Sequence, residues 1–418
     1  MDVLAVYFFN RPIGTLTRTE GELLAFIYSP EYLADPSAAP LSRSLPLHAD
    51  AFPHAKTKAF FSGILPEESI RLNVASLLGI SSENDFCLLE RIGGECAGAV
   101  SLVGVNKEAP TSPHLAPKLI GEAELESIVR ELPTKPLLAG ETGVRLSLAG
   151  AQGKLPLILH NDQFFLPRGD AASTHILKPE PERFPGLAAN ETYCMNLAAA
   201  VGLRVAPIEF RSIGRCKVAL VERYDRKVDD AGNVSRIHQE DFCQALGFPP
   251  SRKYQADGGP TVKQCISLIR DWSTAPILDL ADFIKALIFN ALIGNADAHG
   301  KNFAFLYTGG ERRLSPAYDL VSTVAWPGLA TQAAMKLGGC DSVNAFGIGD
   351  WKKLAMQTES NWIQIRGWLK EVSELVHDQS NLVAKQWNEI QPNVIQELGR
   401  SIHARAAKML TALNDSTA

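Results

Sequence analysis

Residues 280–293 (LADFIKALIFNALI) are apolar almost all round, so a helix here must be enclosed on every side by a large core. Gly294 follows directly, and glycine is the residue best suited to end a helix in the left-handed region. The next residues, Asn295, Ala296, Asp297, Ala298, His299, Gly300, Lys301 and Asn302, turn abruptly polar at the point where a rigid helix stops. Asp297 and Asn302 have the Asp-x-x-x-x-Asn spacing with which phosphotransferases supply a catalytic aspartate and a magnesium ligand. Asp319, seventeen residues further on after Pro316, Ala317 and Tyr318, supplies a second, charged ligand. Between them, 303–307 and 312–314 read as short strands joined at Thr308, Gly309 and Gly310, a hairpin that would bring Asn302 back beside Asp319. Magnesium keeps waters and substrate phosphates in its octahedral shell, so one carboxylate and one amide suffice from the protein, while Asp297 can accept the proton of an attacking hydroxyl. The alternative for the same residues is an Asn- and Asp-rich surface turn, which both residue types favour on backbone grounds.

Composition bounds the class. A chain of 418 residues, 46% hydrophobic and 21% charged, is long enough for two or three domains of a soluble globular protein. The net charge of −5 argues against wholesale coating of nucleic acid by a basic surface. Seven scattered cysteines, odd in number and without Cys-x-x-Cys or zinc spacing, read as reduced core residues. No charged leader with an apolar stretch and no apolar run of membrane-spanning length is present, so a cytoplasmic protein without membrane partners is expected.

Along the chain, 1–105 reads as a small α+β module with strands at 3–9 and after the turn at 10–12, then a helix near 66–78. The proline-rich stretch 106–118 (NKEAPTSPHLAPK) reads as a linker. A β-rich lobe spans 119–237, with a helix at 119–132, strands at 155–159, 163–166, 174–178, 205–211 and 217–223, and a helix at 190–201 ended by Gly202. From 238 to 418 the pattern is predominantly helical; Ile365, Trp368, Leu369, Val372, Leu375 and Val376 share one face, as do Ile395, Leu398, Ile402, Met409 and Leu413, and both stripes are expected to pack.

The β-rich lobe carries candidates for a nucleotide half. Ser147 and Leu148 open a small-residue loop, Ala149, Gly150, Ala151, Gln152, Gly153 and Lys154, whose glycines let backbone N–H groups approach phosphate oxygens; an ordinary β-turn is the alternative. Lys178 ends a strand and can reach phosphates, or be merely solvated; Glu191, in the next helix, can pair with it or answer the helix dipole. Glu222, Arg223 and Tyr224 stand where the β-rich lobe passes into the helical one, the position of a hinge whose backbone reads adenine, or of a plain strand exit.

Taken in order, these segments closely resemble the HipA family of bacterial serine/threonine kinase toxins. The resemblance runs nearly end to end: 61–67 (FSGILPE) and 88–100 (LLERIGGECAGAV) in the first module, then 147–154, 174–178, 221–226, 239–241, 254–260 (YQADGGP), 297–302 and 318–319. It implies a two-lobed protein-kinase-like α+β fold with an extra N-terminal α+β module and an all-helical C-terminal lobe. It further implies Asp297 as catalytic base with Lys301 adding positive charge near the transferring phosphoryl group, and Asn302 and Asp319 as Mg²⁺ ligands. ATP would be surrounded by Ala149, Gly150, Ala151, Gln152, Gly153, Lys154, Lys178, Glu222, Arg223, Tyr224, His299, Gly300, Lys301, Asn302, Tyr318 and Asp319. Ser147 would be an autophosphorylation site that switches the kinase off. The partners implied are a helix-turn-helix antitoxin resembling HipB, operator DNA through that antitoxin, and an aminoacyl-tRNA synthetase substrate, typically the glutamyl enzyme. A small-molecule kinase of related fold, or chiefly a corepressor, are the competing readings.

Overall fold

A computed structural model describes residues 2–105, 116–230, 232–387 and 389–415. The chain divides into two units: residues 1–179, 212–251 and 306–310 form one, and 180–211, 252–305 and 311–418 the other.

In the first unit the N-terminal segment alternates inward and outward residues, which lays Leu4, Val6 and Phe8 on one face of the strand Asp2–Phe8. That strand lies between Arg11–Arg18 and Val100–Gly104 in an antiparallel sheet whose edges are Val100–Gly104 and Leu24–Tyr28. The helices His54–Gly63, Glu68–Leu78 and Asp85–Ile92 share its core, through Phe60, Phe61, Val74, Leu88 and Leu89. A second antiparallel sheet runs Lys118–Ile120, Gln163–Leu166, Leu155–His160, His175–Pro179 and Cys216–Glu222. The helix expected at 119–132 is therefore shorter: Leu119 pairs with Phe165 in a strand, and the helix is Glu122–Glu131, whose Leu125 and Val129 pack on Leu155, Leu157 and Leu220. The linker expected at 106–118 lies largely outside the described residues.

Glu240, on the strand His238–Asp241, is fully buried in this unit and accepts hydrogen bonds from Ser42 Oγ at 2.5 Å, Arg43 N at 3.1 Å and the Tyr307 hydroxyl. Burial pushes its carboxyl up to about 7 in spite of those donors. The folded chain therefore holds a proton that the unfolded chain releases near an ordinary glutamate value of about 4.3. That stabilisation is complete below about pH 4 and is lost as pH rises through about 7. Glu240→Gln, which mimics the protonated form, is expected to gain several degrees in Tm relative to wild type between pH 5 and pH 8; thermal melts across that range check it, and a pH-independent gap would refute it.

The second unit is built on the helix Pro276–Ile293, whose residues 286–293 are all buried, as the apolar run requires. Around it lie Leu187–Ala200, Val262–Trp272, Ile348–Gln357, Trp362–Gln386 and Pro392–Asp415, tied at one point by the Tyr193 hydroxyl donating to Ser380 O at 2.8 Å. Ile365, Leu369, Val372 and Val376 are buried, as are Ile395, Leu398, Ile402, Met409 and Leu413, in line with their expected packing role, while Trp368 and Leu375 are half-buried. Helices dominate this unit, with the short strand pair Gln332–Leu337 and Cys340–Ser342 among them. All seven thiols are free, and no described helix is long and apolar enough to cross a membrane.

Candidate functional site

The second unit holds the polar turn. Gly294 caps the central helix at φ 70°, and Asn295 N donates to Asn290 O at 2.9 Å, the left-handed cap that the sequence calls for. Asn295 is gripped from both ends: its Nδ2 donates to Asn290 Oδ1 at 2.7 Å and its Oδ1 accepts from Asp297 N at 3.0 Å. Ala296 donates to Thr323 Oγ1 and accepts from Ala334 N, both at 2.8 Å. Asp297 emerges from this fixed base with its side chain exposed, and its Oδ1 accepts from the Tyr254 hydroxyl at 2.7 Å.

The backbone carbonyl of Asp297 then organises the rest of the turn. It accepts from His299 N at 2.8 Å and from Asn302 Nδ2 at 3.1 Å. The second bond sets the rotation of the Asn302 amide, with nitrogen towards the turn and oxygen at the opposite end. His299 and Lys301 are buried, and His299 meets the ring of Tyr254 edge-on at 5.3 Å. After the strands Ala304–Thr308 and Glu311–Leu314, Ser315 N donates to Ala304 O at 2.8 Å, and the Tyr318 hydroxyl donates to Lys301 O at 2.6 Å. The chain thus returns as the glycine turn predicts, and Tyr318, the residue before Asp319, is bonded to Lys301, the residue before Asn302. Asp319 takes φ 58°, a conformation that costs a non-glycine residue energy and that aspartate tolerates better than most. An amide oxygen and a carboxylate on adjoining segments are hard donors, suited to magnesium and unlike the nitrogen and sulfur sets that zinc selects.

The first unit holds the other candidates. The loop 149–154 is half-buried and leads into Leu155–His160, which pairs with the strand His175–Pro179 that carries Lys178. Gly150 stands at φ 108° and its carbonyl accepts from Glu67 N at 3.2 Å; Lys154 Nζ donates to Ala149 O at 2.6 Å. Ser147 is wholly buried, donating through Oγ to Ile64 O at 2.8 Å and through N to Glu95 O at 2.9 Å. Lys178 is buried near its strand end, opposite Ala219.

Glu222 pairs with His175 at the end of Cys216–Glu222, and Arg223 N donates to Thr174 O at 2.9 Å. The side chain of Arg223 turns inward. It donates to Asp225 Oδ1 at 2.9 Å, Ser173 Oγ at 2.9 Å and Cys96 O at 3.1 Å, and lies 3.3 Å from Glu95. Arg226 joins the same cluster, 3.0 Å from both Glu95 and Asp225. Two buried carboxylates thus meet two buried guanidinium groups. Burial alone would raise both carboxyls, but Arg223 and Arg226 outweigh it and hold Glu95 and Asp225 well below the ordinary range. Arg223 is buried and the Tyr224 hydroxyl donates to Gln239 Oε1 at 2.5 Å, so both side chains are engaged within the unit. Neither this cluster nor the bond from Tyr254 to Asp297 is foreseen from the sequence; the only hint of the latter is the motif 254–260.

Two family models match the chain: the HipA-like C-terminal domain over residues 146–387 and the HipA N-terminal domain over residues 4–103. Among curated proteins, "Putative kinase Y4mE" of Sinorhizobium fredii is 45% identical over 386 residues, 92% of this chain and 91% of the relative. "Serine/threonine-protein kinase toxin HipA" of Shewanella oneidensis is 33% identical over 315 residues, covering 72% of this chain and 71% of the relative. Among solved structures, a chain of the Shewanella oneidensis MR-1 toxin–antitoxin complex of HipA, HipB and operator DNA superposes with a TM-score of 0.86 at 26% identity, covering 99% of this chain and 98% of that one.

Proposed function

The chain belongs to the HipA family of kinases, and from that premise we propose that it is an ATP-dependent serine/threonine protein kinase acting as the toxin of a toxin–antitoxin pair. Asp297 would accept the proton of an acceptor hydroxyl as its oxygen bonds to phosphorus. Asn302 and Asp319 would hold Mg²⁺, which when bound offsets phosphate charge, and Lys301 would add positive charge near the transferring group. Ala149 to Lys154, Lys178, the backbone of 222–224, and His299 with Gly300 are the proposed nucleotide contacts. The observation that supports this reading is the pair of bonds from Asn302 Nδ2 to Asp297 O and from Tyr318 Oη to Lys301 O, which tie the segment before Asp319 to the turn that carries Asp297 and Asn302.

The substrate proposed is an aminoacyl-tRNA synthetase, the glutamyl enzyme first, and the partner a HipB-like antitoxin through which the protein reaches operator DNA. The partner proposal is supported by the HipA, HipB and operator composition of the superposable complex. Transfer of labelled γ-phosphate with Mg²⁺ to a panel of synthetases, each with and without its tRNA, tests it. Labelling of one synthetase names the target; absence of labelling on every protein, this chain included, overturns the kinase reading.

Self-inactivation at Ser147 gains a physical form from its burial. A phosphate there brings nearly two negative charges into a seat with no room for them, so the loop would have to stay out once modified. Ser147→Ala is expected to keep the initial rate within about twofold, since an alanine fits the buried seat, and to lose the decline that follows preincubation with ATP. Time courses after preincubation, with a phosphopeptide map, check this; a map lacking Ser147 counts against it.

A further inference from the structure

Resting on that kinase reading, we propose that Tyr254 is a positioning residue for phosphoryl transfer: its hydroxyl, donated to Oδ1 of Asp297, holds the carboxylate in one rotation and leaves Oδ2 to the acceptor hydroxyl. An exposed aspartate turns freely between staggered rotamers and between its two oxygens, and only part of that range is productive for proton transfer. One fixed donor narrows it.

The donor is itself fixed. Tyr254 O accepts from Asp257 N at 3.1 Å and Gly259 N at 2.9 Å, a tight turn that closes only because residue 259 has no side chain: a Cβ there would lie 2.1 Å from Arg252 O and 2.7 Å from Tyr254 O. The neighbouring Gln255 Oε1 accepts from Lys336 N at 2.8 Å, on the strand Gln332–Leu337. Two residues earlier on that strand, Ala334 N donates to Ala296 O at 2.8 Å, next to the catalytic aspartate. One strand therefore references both the turn that carries the tyrosine and the peptide that carries Asp297. The ring is set edge-on against His299 of the same polar turn. The motif 254–260 is thereby a rigid bracket that delivers one hydroxyl.

Tyr254→Phe removes that hydroxyl and keeps the ring. In the full-length chain, kcat for transfer of labelled γ-phosphate to the synthetase, or to the chain itself if no synthetase is labelled, is expected to fall roughly 10- to 100-fold. KM for ATP, nucleotide affinity by calorimetry and Tm should stay within about twofold or two degrees. In an Asp297→Ala background the same substitution should cost nothing further, because the group it positions is gone. An unchanged kcat, a parallel loss of nucleotide affinity, full additivity with Asp297→Ala, or phosphate found on Tyr254 itself, making it an acceptor, would each overturn the proposal. A wild type that transfers no phosphate defeats the kinase reading and this inference together, which sets that failure apart from one in which wild type and Tyr254→Phe transfer equally.

Discussion

Asp297→Ala is expected to lower phosphoryl transfer by about 10² to 10⁴-fold, the range associated with loss of a general base, while leaving the fold in place. The retained fold is a consequence of how the turn is held. Asp297 takes part in it through main-chain atoms, its N–H to Asn295 Oδ1 and its carbonyl to His299 N and Asn302 Nδ2, and alanine retains all three. Its carboxylate faces solvent, so truncation opens no cavity. The orientation of the Asn302 amide therefore survives, and so should nucleotide affinity. Initial rates measured beside thermal melts separate the two effects: a rate unchanged at constant Tm would remove Asp297 from the chemistry, whereas a joint fall in Tm would show that the carboxylate is structural.

The second large effect concerns stability. Glu95→Ala leaves the guanidinium groups of Arg223 and Arg226 buried with Asp225 as their remaining carboxylate in the cluster, and breaking a buried ion pair by removing one partner typically costs about 3–5 kcal/mol. That corresponds to a fall in Tm on the order of 10 °C. Adding Arg226→Met should recover part of it, because the excess charge then leaves with the arginine. The low carboxyls of Glu95 and Asp225 fix the sign on the acid side: their stabilisation is present above the ordinary carboxylate range and is lost as pH falls below it. A single variant melting within a degree of wild type at pH 7 would refute the argument. The backbone of Glu95 also accepts from Ser147 N and donates to Arg145 O, bonds that alanine retains, so the segment entering the loop 149–154 should keep these two ties in the variant.

What the sequence conveys and what it conceals divide along the range of the interaction concerned. The central helix is legible because apolar residues on every face leave one environment open to it, and Gly294 marks its end by local backbone preference. The return of the chain through Gly309 and Gly310 is legible for the same local reason. Leu119 and Ile120 read as the start of a helix because nothing local reports that Leu119 will pair with Phe165. The helices His54–Gly63 and Asp85–Ile92 give no clear signal of their own, being short and lying within a module whose core is assembled from separated segments. The charge cluster joins residues 128 and 131 apart, and Arg223 reads as a hinge residue because a sequence gives no sign of where a guanidinium will turn. Tyr254 lies in the motif 254–260 without an evident role, since its partner is 43 residues away.

The way the units are drawn from the chain has a bearing on how the protein is made. The first unit takes residues 1–179, 212–251 and 306–310, so it is complete only when the ribosome has passed position 310. Glu95 leaves the ribosome well ahead of Arg223 and Arg226; at about 5–20 residues per second the interval is on the order of ten seconds. Throughout that interval the nascent segment carries a carboxylate whose buried counter-charges do not yet exist, and Glu240 has still to reach Ser42 across 198 residues. Neither acidic side chain can take its buried place before its partners have been made, so the full set of buried polar bonds of the first unit forms only after most of the polypeptide has been delivered.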